Sequence, residues 1–247
     1  IIVIFLVVWA VKIYRRERTE LARFVKNTAI ISFIFVLIEG ALGGGLVLTG
    51  NTAETLTPAR PFWMSAHLLN TLILLLFFTV TAWAASTGKQ PRLTGAGREK
   101  WVLAGGTALL FVIGISGSIA ALSSMIFPSG TIAEGIAKDF SETSHVLLRL
   151  RLFHPLTAIF GTVAIYLLAG WLKRRYSAAQ AVGKWADRLS ILLLVQLAFG
   201  AATLLMLGPI VMQLGHLFLA DLVWLALIIL AFNVVTSSPS EPEPTLN

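Results

Sequence analysis

Long apolar runs separated by short polar clusters set the pattern of this chain. Six runs cover residues 30–48, 62–85, 101–127, 155–172, 189–207 and 211–235, and a shorter one occupies residues 1–13. A helix that crosses a bilayer needs about 20 mostly apolar residues. The pattern therefore predicts an all-α, polytopic membrane bundle with seven spans visible, the first of them partial. The opening IIVIFLVVWA has neither a basic lead-in nor a small-residue cleavage site after it, so it does not read as a signal peptide. It reads as the inner part of a helix that begins upstream.

The polar clusters alternate in character. Fifteen of the 19 Lys and Arg fall in three segments, Lys12 to Lys26, Lys89 to Lys100 and Lys173 to Arg188. The opposite side carries Arg60, Lys138, Arg149 and Arg151. Basic loops stay on the cytoplasmic side, so the first set marks the inner face and the second the outer face. The tail, residues 236–247, is polar and rich in proline, and is expected to be disordered on the cytoplasmic side.

Composition agrees. Hydrophobic residues make up 57% and charged residues 13%, with a mean hydropathy of +0.84; a soluble domain carries roughly a quarter charged residues. The formal net charge of +7 sits in loop clusters, which argues against nucleic acid as a partner and for lipid. The absence of cysteine excludes disulfides, thiolate metal sites, iron–sulfur clusters and thioether-attached haem.

Four histidines remain as nitrogen ligands, His67, His145, His154 and His216. Three fall at matched depth near the outer ends of separate runs: His67 one to two turns inside the third, His154 at the start of the fifth beside Pro155, and His216 about one turn inside the last. Polar groups within a span are costly and mark function by default, and neutral imidazole ligates haem iron. A single such histidine can equally serve as a helix–helix hydrogen bonder. His145 precedes the fifth run and belongs at the interface.

The chain also repeats itself. IEGALGGGLVLTG, a loop and AHLLNTLILLL are echoed by VQLAFGAATLLMLG, a shorter loop and GHLFLADLVWLAL. Each unit pairs an outgoing glycine-bearing helix with an incoming helix that carries His in its first turns. A four-helix repeat would be complete in the second half and short of one helix in the first, giving eight spans in all. The boundaries are then 1–88 for the remainder of the first half, 89–235 for the second and 236–247 for the tail. Bundle cores hold cofactors between facing helices, so His154 and His216 are candidate axial ligands of one b-type haem, with iron as the metal. His67 would hold a second haem together with a ligand upstream. Glu39, deep in the second run, is a candidate for proton transfer there or a protonated interhelical hydrogen bonder. Arg149 and Arg151 are candidates to pair with haem propionates or lipid headgroups. Asp221 is expected to make a structural hydrogen bond, and Trp63, Trp101, Trp171 and Trp185 to lie at the interfaces.

These segments resemble the haem A synthases. The likeness is carried by GSIAALSSMIFPSGTIAEGIAKDFSETSHVLLRLRLFHPLTAIFG, by IEGALGGGLVLTG with ARPFWMSAHLLNTLILLL, and by QLGHLFLADLVWLAL; it extends from about Lys26 to Val235. The resemblance implies an eight-span, two-half protein that oxidises a methyl group of haem O to a formyl group, giving haem A. It places His154 and His216 at the bound haem b of the second half and His67 at the substrate haem of the first. The family's other first-half histidine lies in a Glu-x-x-His-Arg motif that does not occur in these 247 residues, and its glutamate is thought to take part in the chemistry. Ser123 and Ser124 stand where the family carries Gly-Asp. Implied partners are a haem O synthase, terminal oxidase assembly or another membrane complex, and the implied location is a bacterial cytoplasmic membrane with the C-terminus inside. The alternative is a non-catalytic haem b electron carrier or a structural subunit with the same fold.

Overall fold

The computed structural model describes residues 2–14, 19–52, 57–91 and 97–239. Among the described residues the chain is helix, turn and loop, with nine helices in order: α1 (Ile2–Tyr14), α2 (Glu20–Leu48), α3 (Arg60–Thr87), α4 (Arg98–Ile126), α5 (Ile132–Phe140), α6 (Val146–Arg151), α7 (Phe153–Arg175), α8 (Gln180–Leu205) and α9 (Ile210–Val235). Six are long and apolar enough to cross a membrane by length and composition, counting α6 and α7 as one. At 13 residues, α1 is not among these six. Arg15, Arg16, Arg18 and Arg92 of the basic segments, and residues 240–247 of the tail, lie outside the described residues.

The helix starts differ from the apolar runs for physical reasons. Helix α2 begins ten residues before its run, at Glu20, because Thr19 caps it: the Thr19 hydroxyl accepts from the Ala22 amide at 3.1 Å. Capping and helix propensity act on polar turns that hydropathy does not register. The fifth span likewise starts at Val146 rather than at Pro155. The interruption between α6 and α7 falls at Leu152, whose backbone keeps helical angles (φ −64, ψ −26). Pro155 has no N–H to give to the carbonyl of Arg151, which breaks the ladder without turning the chain. His154 therefore lies about two turns inside a longer helix and not at its entrance.

Helix α5 was not expected. It is announced by a capping box: the Glu134 amide donates to the Thr131 hydroxyl at 3.1 Å, and the Glu134 carboxylate accepts from the Gly130 amide at 2.7 Å. Ile132, Ile136 and Phe140 form an exposed apolar stripe along it, as on helices that lie along a membrane interface.

Helices α4, α7, α8 and α9 pack around a common core of Leu103, Ile165, Leu172, Leu189, Leu227 and Leu230. Helix α3 joins them through α4 and α9, where the Trp224 indole donates to the Leu72 carbonyl at 2.9 Å. Helix α2 packs on α3, and α1 on α2. Large apolar side chains such as Leu37, Val47, Phe160, Leu167 and Ile191 stay exposed on the outside of the bundle, which is stable facing hydrocarbon and costly facing water.

Two connections set the register of the site helices. The α8–α9 turn is short, with Leu207 (φ 62) and Gly208 (φ 66) both left-handed, and the Gly208 amide closing on the Thr203 carbonyl at 2.8 Å. Glycine accepts that conformation freely, whereas leucine is strained by it. The α2–α3 connection is longer. Its described residues include buried Asn51, which bonds the Thr49 hydroxyl at 2.6 Å and also the Thr57 hydroxyl.

Candidate functional site

The site is built from three antiparallel helix pairs, each bringing one histidine against a polar side chain and a glycine of its neighbour. On α7, the His154 Nδ1 lies 3.2 Å from the Ser116 hydroxyl of α4. Ser116 donates its single hydrogen to the Ile113 carbonyl at 2.9 Å, so its oxygen is free to accept. Counting hydrogens then puts the proton on Nδ1 and leaves Nε2 with its lone pair available to a metal. Thr157 lies alongside, its hydroxyl oxygen 3.0 Å from that of Ser116, and donates to the His154 carbonyl at 3.0 Å.

On α9, the carbonyl of His216 accepts from the Gln196 amide of α8 at 3.1 Å, and the same amide nitrogen stands 3.4 Å from His216 Nε2. The Nδ1 of His216 is buried without a hydrogen-bond partner, as is Oε1 of Gln196. A buried polar atom with no partner costs about 1–3 kcal/mol, which is a reason to look for something that the site is shaped to bind. The rings of His154 and His216 face one another with centroids 6.3 Å apart and planes 79° apart. Two imidazole–metal bonds of about 2 Å each, with the half-widths of two rings, give roughly that separation. The predicted pair is thus brought together by four helices, and its donor set suits a single metal ion ligated from two sides.

On α3, His67 stands apart from that pair. Its Nδ1 is 3.1 Å from Glu39 Oε1 of α2, close but not aligned for a hydrogen bond. The Glu39 carboxylate is held by donors from α3, the Asn70 amide and the Thr71 hydroxyl. Asn70 also donates to the Phe35 carbonyl at 3.0 Å, so it ties both the carboxylate and the backbone of α2 to α3. Among the described residues no group of three or more His, Asp and Glu comes together as a metal cage; the three histidines do not converge on one ion.

The remaining candidates separate. His145 caps α6, its Nδ1 accepting from the Leu147 amide at 3.2 Å, and its ring lies 5.3 Å from that of Phe127, which agrees with an interfacial place. Arg151 is committed to the protein, donating to Asp139 at 2.6 Å and to the Gly135 carbonyl at 3.2 Å, and so ties α5 to α6. Arg149 is exposed and donates to the Glu142 carbonyl at 2.6 Å, leaving it the freer cation on this face. The hydrogen bond expected of Asp221 is not found among the described residues: the carboxylate sits partly exposed on α9. Ser123 is fully buried near the outer end of α4, with its hydroxyl unpartnered.

Reading the sequence alone missed Ser116, Thr157, Gln196, Asn70 and Thr71 as partners of these residues. One signal was present. Glu39-x-x-x-Gly43 on α2 and Gln196-x-x-x-Gly200 on α8 share a spacing that places both residues on one helix face.

Comparison with known proteins adds the wider frame. Two relatives named protoheme IX farnesyltransferase, from two strains of Thermus thermophilus, are each 34% identical over 234 residues. The matched region is 94% of this chain but 37% of each relative, so the chain spans little more than a third of their length. No solved structure matches. Residues 1–228 match the COX15-CtaA family, described as cytochrome oxidase assembly protein. With nearly the whole chain inside that match, this multi-pass membrane protein belongs to the COX15-CtaA family of cytochrome oxidase assembly proteins.

Proposed function

We propose that the chain belongs to a haem A synthase-like oxidoreductase, which oxidises a methyl group of haem O to the formyl group of haem A. The observation that carries this reading is the His154–His216 pair, 6.3 Å apart between α7 and α9 with an orphan ring nitrogen on His216. In this reading the two imidazoles would hold a haem b, which would supply one-electron chemistry. Residues 89–235 would form the haem b half, and residues 1–88 would belong to the substrate half.

The chain's own residues would act as follows. Ser116 fixes the tautomer of His154, and Gln196 fixes the backbone that carries His216. Outer-shell partners of this kind set ligand orientation and basicity. Arg149 would meet a haem propionate at the outer surface, since charge-assisted bonds favour arginine there; Arg151 would support it by holding α5 in place. His67 would ligate the substrate haem, with Glu39 beside it as the group that holds or moves a proton at Nδ1. The protein would lie in a bacterial cytoplasmic membrane, with the three basic segments and the C-terminus inside.

A second reading has one observation in its favour. The relatives carry the name of a protohaem-farnesylating enzyme and are much longer than this chain. Under it, the chain is a non-catalytic haem b electron carrier or a structural subunit that works beside a haem O synthase or a terminal oxidase under assembly.

Extraction and chromatography of the haems from purified protein separates the two. Haem B together with haem O or haem A is expected for a synthase holding cofactor and substrate or product. Haem B alone, with no conversion of added haem O, favours the second reading in its electron-carrier form, and absence of haem overturns the ligand pair and leaves the structural subunit.

A further inference from the structure

Each histidine on a spanning helix rests on a glycine of the helix beside it. A Cβ added at Gly200 would stand 2.7 Å from Cε1 of His216, and one at Gly117 would stand 3.0 Å from Cε1 of His154. At Gly43 the nearest atom is Nε2 of His67, at 3.6 Å. None of these glycines has a positive φ, so backbone conformation does not explain them. Inside a helix, glycine is disfavoured relative to alanine because it gives up more backbone freedom on folding. What these positions gain in return is room for an imidazole.

The rings are not free to give way. Helices α8 and α9 interlock reciprocally: His216 of α9 sits on Gly200 of α8, and Phe199 of α8 sits on Gly215 of α9, where a Cβ would stand 2.9 Å from Cζ. Rotating either helix to relieve one contact closes the other. His154 is held between Gly117 and the adjacent Ser116, whose hydroxyl lies at its Nδ1. A methyl at either glycine therefore meets a ring whose retreat is blocked by packing.

We propose that Gly117 and Gly200 are positioning residues for the His154–His216 pair. They set the depth and lateral placement of the two imidazoles, and through them the gap that a haem iron would occupy. The inference rests on the haem b reading above.

The test uses the full chain purified in detergent, with Gly200→Ala, Gly117→Ala and Gly105→Ala compared with the unsubstituted protein. Gly105 lies inside α4 with nothing within 4 Å of its would-be Cβ, so it measures the effect of a helical Gly→Ala change alone. Haem B per chain, the low-spin absorption and magnetic signature, and the unfolding midpoint of the haem-stripped protein are read together. Haem retention about 10–100-fold weaker in Gly200→Ala, a smaller loss in Gly117→Ala, and a shift of the residual haem toward high spin are expected. The stripped midpoint should fall in Gly200→Ala and less in Gly117→Ala, because the added methyl overpacks a blocked contact, whereas Gly105→Ala should stay level or rise, since alanine favours the helix, and should match the unsubstituted protein spectroscopically. Unchanged haem content and an unchanged low-spin signature in both Gly200→Ala and Gly117→Ala overturn the proposal. If Gly200→Ala does not fold, Gly117→Ala decides by the same readouts. If the unsubstituted protein holds no low-spin haem, or if His216→Ala keeps it, the haem b reading fails and the inference falls with it.

Discussion

The α2–α3 and α8–α9 hairpins are two versions of one design. In each, an outgoing helix presents a polar residue and, four residues later, a glycine; the incoming helix presents a histidine that packs on that glycine. An aromatic ring seated on a second glycine accompanies each, Trp63 on Gly45 and Phe199 on Gly215. The hairpins differ in the length of their connections, in which helix carries the aromatic ring, and in the groups beside the histidine. The polar residue is Glu39 in one hairpin and Gln196 in the other. His216 faces a second imidazole, while His67 has a carboxylate beside it. One scaffold thus carries a paired imidazole site and a single, acid-flanked one, so what distinguishes them is set by side chains and not by the fold.

Exchanging or removing the distinguishing groups tests that contrast. The largest effect is expected from His154→Ala or His216→Ala, which should abolish the low-spin haem signal, whereas His67→Ala should leave it intact; absorption spectra of the three purified variants show which. Next is Glu39→Gln, which makes the first hairpin resemble the second. Turnover of haem O should fall by about 10²-fold or more if the carboxylate moves a proton, with the low-spin haem retained; unchanged turnover would reduce Glu39 to an interhelical tie. Ser116→Ala removes the partner of His154 Nδ1 and should weaken haem retention about tenfold, measured by transfer to an apo-acceptor. The smallest effect is expected in the connection peculiar to the second hairpin. Leu207→Gly relieves a left-handed leucine and should raise stability by about 0.5–1 kcal/mol, seen as a small upward shift of the thermal midpoint.

Much of this arrangement could be read from the residues in order. The six long spans and the depth of His67 and His216 follow from hydropathy and charge, because transfer to lipid is a property of each segment on its own; His154, expected at a helix entrance, lies about two turns in because α6 leads straight into α7. The start of α2 at Glu20 and of α6 at Val146 did not, since caps and helix propensity extend helices into polar sequence. Helix α5 lay behind a Thr131-x-x-Glu134 capping box that apolar runs do not reveal. Partners were the least legible part. Arg151 looked as available as Arg149 until Asp139 was found beside it, and Asp221 looked as though it needed a bond that no described residue provides. Such pairings depend on which helices become neighbours, and residues far apart in sequence carry no local sign of it. The glycines beneath the histidines were visible as glycines, but their purpose emerged only from the rings that rest on them.

The central claim is that His154 and His216 hold one haem iron between them. Electron paramagnetic resonance of the oxidised, purified protein tests it most directly. Ligation by both imidazoles, whose ring centroids lie 6.3 Å apart, predicts a low-spin ferric signal that is lost on His216→Ala and on His154→Ala. A low-spin signal that survives either substitution would contradict the account.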